Sequence, residues 1–119
     1  MATIKSFSDL EQSKKLAEFL PLESADMIFV HTIDLEGDEH YDIDFRNKNP
    51  LFEDDVCSWS LAALLSVLPL IDLTMPQLIG TPKTLYRCIY NDDLKSHAYD
   101  NPVDACVAMI EKLHELKML

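Results

Sequence analysis

Glycine is scarce in this sequence: only Gly37 and Gly80 occur among 119 residues. Phosphate-binding loops need closely spaced glycines, so an isolated pair excludes the usual nucleotide-binding motifs. The chain also lacks the Gly-x-Ser-x-Gly turn that presents a nucleophilic serine in hydrolases. We therefore predict no cofactor and favour a protein without catalytic activity. An enzyme whose site is assembled from distant residues stays an alternative.

Positive charge is also scarce, with 10 Lys and Arg against 21 Asp and Glu and a formal net charge of −11. Nucleic-acid affinity comes largely from neutralising phosphates, so direct binding to DNA or RNA is not expected. A charge of this size keeps a small domain in solution. Alternatively, the acids form a face that meets a basic protein surface, or that imitates a nucleic acid and so inhibits a DNA- or RNA-binding protein.

Closely spaced cysteines and long apolar runs are missing as well. The wide cysteine spacing indicates neither a zinc site nor a disulfide framework, and we expect reduced, buried thiols. The cysteines are Cys57, Cys88 and Cys106. The longest apolar run, residues 61–71, is too short for a bilayer span of roughly 20 residues. Because residues 1–6 also lack the apolar stretch of a signal peptide, we expect a cytoplasmic protein that does not enter a membrane.

The chain does have the composition of one globular domain, 1–119, with 48% hydrophobic residues. Ser8 and Glu11 match a helical capping box, which predicts a first helix that ends before Pro21. Residues 27–33 are rich in β-branched and aromatic side chains, which predicts a strand. Residues 34–39 form a polar turn after it.

A second strand is predicted at residues 41–46, where apolar and charged side chains alternate. Tyr41, Ile43 and Phe45 face one side, so we expect a half-buried strand in a hairpin with residues 27–33. Residues 47–55 form a loop. A helix capped by Ser58 is expected over residues 59–68, and its nearly continuous apolar surface makes a homodimer an alternative to a monomer.

The last third of the chain is predicted to contain a crossover, two strands and a helix. Residues 70–82 are expected to form an irregular crossover, followed by a strand at 84–90 and a short return strand at 95–99. Asn101 is a good N-cap, Pro102 suits the first helical position, and Asp104 suits the first turn. The apolar stripe of this helix comprises Val103, Cys106, Val107, Ile110 and Leu113.

These elements predict an α+β fold with the order α-β-β-α-β-β-α. Short connections within each strand pair imply antiparallel pairing. We expect one small antiparallel sheet with the helices packed on one side of it.

Acidic residues concentrate in the second quarter of the chain. They are Asp34, Glu36, Asp38, Glu39, Asp42 and Asp44, followed by Glu53, Asp54 and Asp55. The spacing fails the EF-hand pattern because Gly37 arrives at the fourth position from Asp34 rather than the sixth. Asp42 and Asp44 share a strand face that could hold one hard cation, but a solvated hairpin is the simpler interpretation, and we predict no metal site.

Other chemistry is weakly indicated. The four histidines show no closely spaced ligand pair. Cys57 precedes a predicted helix, where the pKa of a thiol can be lowered. Neither an oxyanion loop nor a residue that would orient a catalytic base is identifiable. Trp59 either closes the core or borders a binding groove. The candidate interaction surface from the sequence comprises Trp59, Asp38, Asp42, Asp44, Asp54 and Asp55.

Three stretches occur together in a familiar order: EQSKKL at 11–16 with SADM at 24–27, WSLAALL at 59–65 followed by Pro69, and DNPVDAC at 100–106. With a Tyr-rich strand between the last two, this order resembles a family of short uncharacterised proteins from phages and integrated mobile elements of gut bacteria. The resemblance spans most of the chain but not the acidic segment. It implies a cytoplasmic accessory protein with a protein partner and carries no activity or binding residues with it.

Overall fold

A computed structural model describes residues 5–46, 54–71, 75–80 and 85–119. The α+β class predicted from the sequence is confirmed. The helices are α1 (Leu10–Leu16), α2 (Leu61–Val67) and α3 (Pro102–Glu115), with one 3₁₀ turn at Leu22–Ser24. The strands are β1 (Met27–Ile33), β2 (Glu39–Phe45), β3 (Val56–Ser58), β4 (Gln77–Gly80), β5 (Tyr86–Asn91) and β6 (Leu94–Lys95).

The strands form two antiparallel sheets of three strands each, where the sequence suggested one sheet. Their orders are β2-β1-β3 and β4-β5-β6. Each predicted hairpin gains a strand that the pattern did not predict: β3 joins β1, and β4 joins β5. Both added strands are short, with 3 and 4 residues, so neither has room for a clear alternation. Of the loop expected at 47–55 and the crossover expected at 70–82, residues 47–53, 72–74, 81 and 82 lie outside the described residues.

Helix α1 begins one residue later than predicted, because its N-cap is one residue further along the chain. Asp9, not Ser8, is the N-cap, and Gln12, not Glu11, completes the capping box. Asp9 Oδ1 accepts from the Gln12 N–H at 2.8 Å, and Gln12 Oε1 accepts from the Asp9 N–H at 3.1 Å. Ser8 is unavailable because its hydroxyl is buried between two other serine hydroxyls, those of Ser13 and Ser58, at 2.7 and 3.1 Å.

The N-cap of α2 is likewise displaced, from Ser58 to Ser60. Ser58 belongs to β3 and is buried, whereas Ser60 Oγ accepts from the Ala63 N–H at 3.2 Å. Asp26 fixes this cap because its carboxylate accepts from both the N–H and the hydroxyl of Ser60. The predicted start at Trp59 was wrong because β3 pairs with β1 up to Ser58 and holds the chain extended there.

Helix α3 agrees with its prediction in detail. Asn101 is the N-cap, Pro102 is the first helical residue, and Asp104 lies in the first turn. All five members of the predicted apolar stripe are buried, and Ala105 and Met109 join them. This helix packs against β5 and α2, so its buried face joins the second sheet to the rest of the domain.

One hydrophobic core connects both sheets and the three helices. Its largest fully buried side chains include Trp59, Leu16, Leu64, Met109 and Ile110. All three cysteines are free and buried, as the sequence predicted. The domain is elongated, with extents of 52 × 33 × 21 Å.

Candidate functional site

The structure separates the six residues predicted to form an interaction surface. Asp42 and Asp44 lie on β2, and Asp38 lies in the turn before it. Asp54 and Asp55 lie immediately before β3. Trp59 is in the core with an exposed fraction of 0%, and its indole N–H donates to Ser24 Oγ at 2.9 Å. Of the two roles expected from the sequence, Trp59 therefore closes the core and does not border a binding groove.

The β1–β2 hairpin was correctly predicted, and its register assigns every side chain to a face. Phe29 pairs with Ile43 and His31 pairs with Tyr41, while Val30 pairs with Asp42. Since side chains alternate along each strand, the pairs divide into two opposite faces. We call the face with Phe29, Tyr41, Ile43 and Phe45 the apolar face, and the face with Val30, His40, Asp42 and Asp44 the acidic face.

The carboxylates of the acidic face lie on β2, which is the outer strand of the first sheet. The Asp42 carboxylate accepts from Thr32 Oγ1 at 3.1 Å and lies 3.4 Å from His40 Nε2. The side chain of Asp42 is nevertheless 63% exposed. Between residues 27 and 45 the chain contains no Lys or Arg, so the hairpin supplies no permanent positive charge to its own acids. Its negative potential is therefore directed at the solvent.

Asp54 lies on the opposite, apolar face. Its carboxylate is 3.8 Å from His31 Nδ1, and the carboxylate of Glu39 is 3.8 Å from His31 Nε2. Asp54 therefore does not join the surface formed by Asp42 and Asp44. Asp55 is half-buried beside Cys57, in a small surface depression.

The apolar face is much less covered than the alternation predicted. Phe45 is 79% exposed, Ile33 is 60% exposed and Tyr41 is 36% exposed. The prediction of a half-buried β2 was wrong because extensive packing on β2 comes from β1 alone among the described elements. The exception on this face is Phe29 on β1, which is buried and meets the Phe7 ring edge-on at 6.0 Å.

A surface depression of about 500 Å³ adjoins the inner strand of the apolar face. Phe29 lines it together with Phe7, which precedes α1, and Leu10, the first residue of α1. Lys5 and Asp9 lie at the same depression and are paired with each other at 3.0 Å. The depression extends the apolar surface of the hairpin and holds no cysteine or histidine among its lining residues.

Part of the acidic segment has a structural role. Asp34 Oδ1 accepts from the backbone N–H groups of both Glu36 and Asp38, each at 2.9 Å. Gly37 has φ of +87°, a left-handed conformation that other residues rarely adopt. Asp34 and Gly37 therefore build the turn, whereas Asp42 and Asp44 on β2 keep exposed carboxylates.

The hypothesis of an activated Cys57 is not supported. The residue lies in β3 rather than at a helix start, and its exposed fraction is 3%. Burial raises the pKa of the Cys57 thiol, with Asp55 acting in the same direction against Arg46. A raised pKa keeps the thiol protonated at neutral pH, whereas a nucleophile needs the thiolate. The depression beside it has a volume of about 220 Å³.

The remaining cysteines form a buried pair. A hydrogen bond between the two sulfurs lowers the pKa of Cys88 and raises that of Cys106, which burial raises further. Both side chains are fully buried, one on β5 and the other on α3. Their contact is therefore part of the packing between the second sheet and α3.

Neither a metal centre nor a membrane span is found in the described ranges. No group of three or more His, Cys, Asp or Glu residues there is arranged to hold an ion. No helix among those residues is long and apolar enough to cross a bilayer. The chain matches no protein-family model, no curated protein and no solved structure.

Proposed function

We propose that this protein is a non-enzymatic interaction protein that binds a basic protein partner through the outer strand of the β1–β2 hairpin. The observation that carries the proposal is β2 itself: it keeps Tyr41 and Phe45 exposed beside uncompensated carboxylates and packs mainly on β1. Aromatic side chains are enriched in protein–protein interfaces, and a surface of one charge sign is complementary to a partner of the opposite sign.

The wider setting is part of the same proposal. A cytoplasmic accessory protein of a phage or mobile element accords with the sequence resemblance and with three free, buried thiols. Assembly as a homodimer through α2 is a separate prediction. Ala62 and Ser66 are the exposed positions of that helix, and Leu61, Leu65 and Val67 are half-buried, so a second copy would have to bind through these partly covered apolar residues. Light scattering on the purified protein tests the oligomeric state.

The test is affinity capture from a bacterial lysate with two matched baits. The double variant Asp42→Asn/Asp44→Asn removes two charges from the acidic face. The control Asp92→Asn/Asp93→Asn removes two charges from the exposed turn between β5 and β6. Both baits have the same net charge, so only position distinguishes them. We expect a specific partner to be retained by the wild type and the control and lost by the hairpin variant.

Equal capture by both variants would exclude the hairpin as the binding surface. A partner that nucleic acid displaces from the wild type would support the acidic mimic, in which the protein inhibits a DNA- or RNA-binding protein. The acids also occur on α1, on the β5–β6 turn and on α3. A mimic would therefore lose binding with the control variant as well, because its charges act together.

A further inference from the structure

The open edge of β2 has a definite pattern of backbone groups. The Asp34 N–H donates to the Asp38 carbonyl, and the Arg46 N–H donates to the Asp26 carbonyl. These bonds flank the hairpin and fix which pairs exchange hydrogen bonds, because bonded and non-bonded pairs alternate in an antiparallel ladder. His40, Asp42 and Asp44 therefore face β1 with their N–H and C=O groups. Glu39, Tyr41, Ile43 and Phe45 direct theirs to the open edge.

The open edge is long and only slightly blocked. In the described part of the chain β1 is the only strand paired with β2. One outward N–H is already bonded, since Phe45 N–H donates to Asp44 Oδ1 at 2.8 Å. The N–H groups of Tyr41 and Ile43 point outwards in the middle of a strand of 7 residues. An unpaired row of this kind is a template for another strand.

From this edge we propose that β2 binds its partner by strand addition, and that the added strand alternates basic and apolar residues. The inference rests on the proposed function and specifies its partner. Backbone hydrogen bonds to Tyr41 and Ile43 hold the added strand, which is the binding mode of many peptide-recognition domains. Alternate side chains then determine which strand fits.

The two faces of the hairpin dictate that alternation. Every second residue of an added strand lies on the apolar face, beside Tyr41, Ile43 and Phe45, and gains by covering them. The residues between lie on the acidic face beside Asp42 and Asp44, where Lys or Arg gains and Asp or Glu is repelled. The same alternation holds for parallel and antiparallel addition, because side chains alternate in both.

A second copy of this chain does not fit the edge. Antiparallel pairing of two β2 strands centred on Ile43 would place Asp42 of each copy opposite Asp44 of the other. Like charges directly opposite each other on a sheet destabilise the pairing. The absence of Lys and Arg from residues 27–45 leaves no permanent positive charge in either hairpin to offset this repulsion. Charge complementarity therefore selects a basic strand from a different protein.

The test uses synthetic peptides matched to the 7 residues of β2. The probe is acetyl-Lys-Val-Lys-Val-Lys-Val-Lys-amide, and the control is a block peptide of the same composition with its lysines first and its valines last. We expect the alternating peptide to bind at least about tenfold more tightly than the block peptide at ionic strength near 0.1 M, where surface charge attraction alone is partly screened. Amide hydrogen exchange measured by NMR should slow at Tyr41 and Ile43 when the alternating peptide is added.

A proline variant isolates the backbone contribution. Tyr41→Pro removes an outward N–H and leaves the bonds between β2 and β1 intact. A sheet tolerates proline on an edge strand at positions whose N–H is directed to the solvent. Its matched control, Tyr41→Thr, also loses the aromatic ring but keeps the N–H. We expect Tyr41→Pro to lose at least about tenfold more affinity for the alternating peptide than Tyr41→Thr does. Protection of the His40 and Asp42 amides verifies that the hairpin is retained.

The outcomes separate the two proposals. Equal binding of both peptides without new protection at Tyr41 and Ile43 overturns strand addition, as does no binding of the alternating peptide. The capture experiment is independent of both results. A partner lost only with Asp42→Asn/Asp44→Asn would still support the hairpin as the binding surface. If Tyr41→Pro unfolds the hairpin, amide protection in the wild type decides the question alone.

Discussion

The Lys5 ammonium donates to Asp104 Oδ1 at 2.6 Å and so joins two residues 99 positions apart in the sequence. Asp104 also accepts from Gln12 Nε2 at 2.7 Å and from Asn101 Nδ2 at 2.7 Å. Burial acts to raise the pKa of Asp104, but the hydrogen bonds from Lys5, Asn101 and Gln12 outweigh it and hold the pKa below its ordinary value of 3.8. This carboxylate thereby ties α1 and the segment before it to the start of α3.

Replacing that carboxylate should weaken the fold in a pH-dependent way. A depressed folded-state pKa stabilises the native state above pH 4, and the contribution disappears as pH falls through the folded value. We expect Asp104→Asn to lower the free energy of unfolding by about 1.5–3 kcal/mol at pH 7, because hydrogen bonds to a charged group are lost. Urea unfolding at pH 7 and pH 2.5 measures the difference, which should shrink at the lower pH.

The exposed acid Asp92 provides the control for this experiment. Asp92→Asn should change the free energy of unfolding by less than about 0.5 kcal/mol at either pH. A loss for Asp104→Asn that is the same at both pH values would contradict the assigned role of the charge.

The position of the α1 cap can be tested with three alanine variants. Asp9→Ala should lower the free energy of unfolding by about 0.5–2 kcal/mol through loss of the cap. Ser8→Ala should lower the free energy of unfolding by about 1–3 kcal/mol for another reason. The buried backbone N–H of Trp59 donates to Ser8 Oγ at 3.1 Å and would lose its acceptor. Glu11→Ala should have an effect within about 0.5 kcal/mol. A larger loss for Glu11→Ala than for Asp9→Ala would restore the cap expected from the sequence.

Trp59 should report its burial through fluorescence. As the only tryptophan, it gives an unambiguous signal, and its exposed fraction of 0% predicts blue-shifted emission with weak quenching by acrylamide. Ser24→Ala removes the acceptor of the indole N–H and should lower the free energy of unfolding by about 0.5–1.5 kcal/mol. Efficient quenching in the native protein would place this ring at a surface after all.

Thiol alkylation should distinguish structural cysteines from a nucleophile. Burial raises the pKa of Cys57, so iodoacetamide at neutral pH should leave the native protein unlabelled over minutes. In denaturant all three cysteines should be labelled, as intact mass would show. Rapid addition of a single adduct to the native protein, lost in Cys57→Ala, would revive the catalytic hypothesis.

The turn of the hairpin can be tested through its glycine. Gly37→Ala places a side chain at φ of +87°, and we expect a loss of about 1–2 kcal/mol in the free energy of unfolding. Gly80→Ala is the matched control, because an added Cβ there meets only ordinary contacts with the Tyr86 ring at 3.7 Å. Equal losses for both variants would mean that backbone conformation is not the cause.

The sequence predicted most reliably the elements whose signals are local. Asn101, Pro102 and Asp104 favour the same helix start, and nothing else in the fold competes for their side chains. Where two neighbouring residues could serve as the cap, the sequence alone did not decide between them. Ser8 and Asp9 are both good caps, as are Ser58 and Ser60. Packing around β3 buries Ser8 and Ser58 and leaves the caps to Asp9 and Ser60.

The candidate surface could be predicted only in part for a related reason. Alternation in residues 41–46 correctly gave a strand and placed Asp42 and Asp44 on one side of it. It gave no information on whether anything packs over Tyr41 and Phe45, because coverage depends on elements distant in the sequence. The burial of Trp59 was equally undetermined by the sequence, because a tryptophan at the start of an apolar stretch suits both a groove and a core. In the structure its side chain is buried, whereas Tyr41 and Phe45 are exposed.

By itself, then, the sequence determined the α+β class, the hairpin, α3 and the buried thiols, because propensity, alternation and capping act over a few residues. The tertiary structure decided the division into two sheets, the final caps and the exposure of β2. Those features depend on contacts such as β3 with β1 and Lys5 with Asp104, which join segments far apart in the chain. Long-range contacts of this kind leave no periodic trace in the residues that make them.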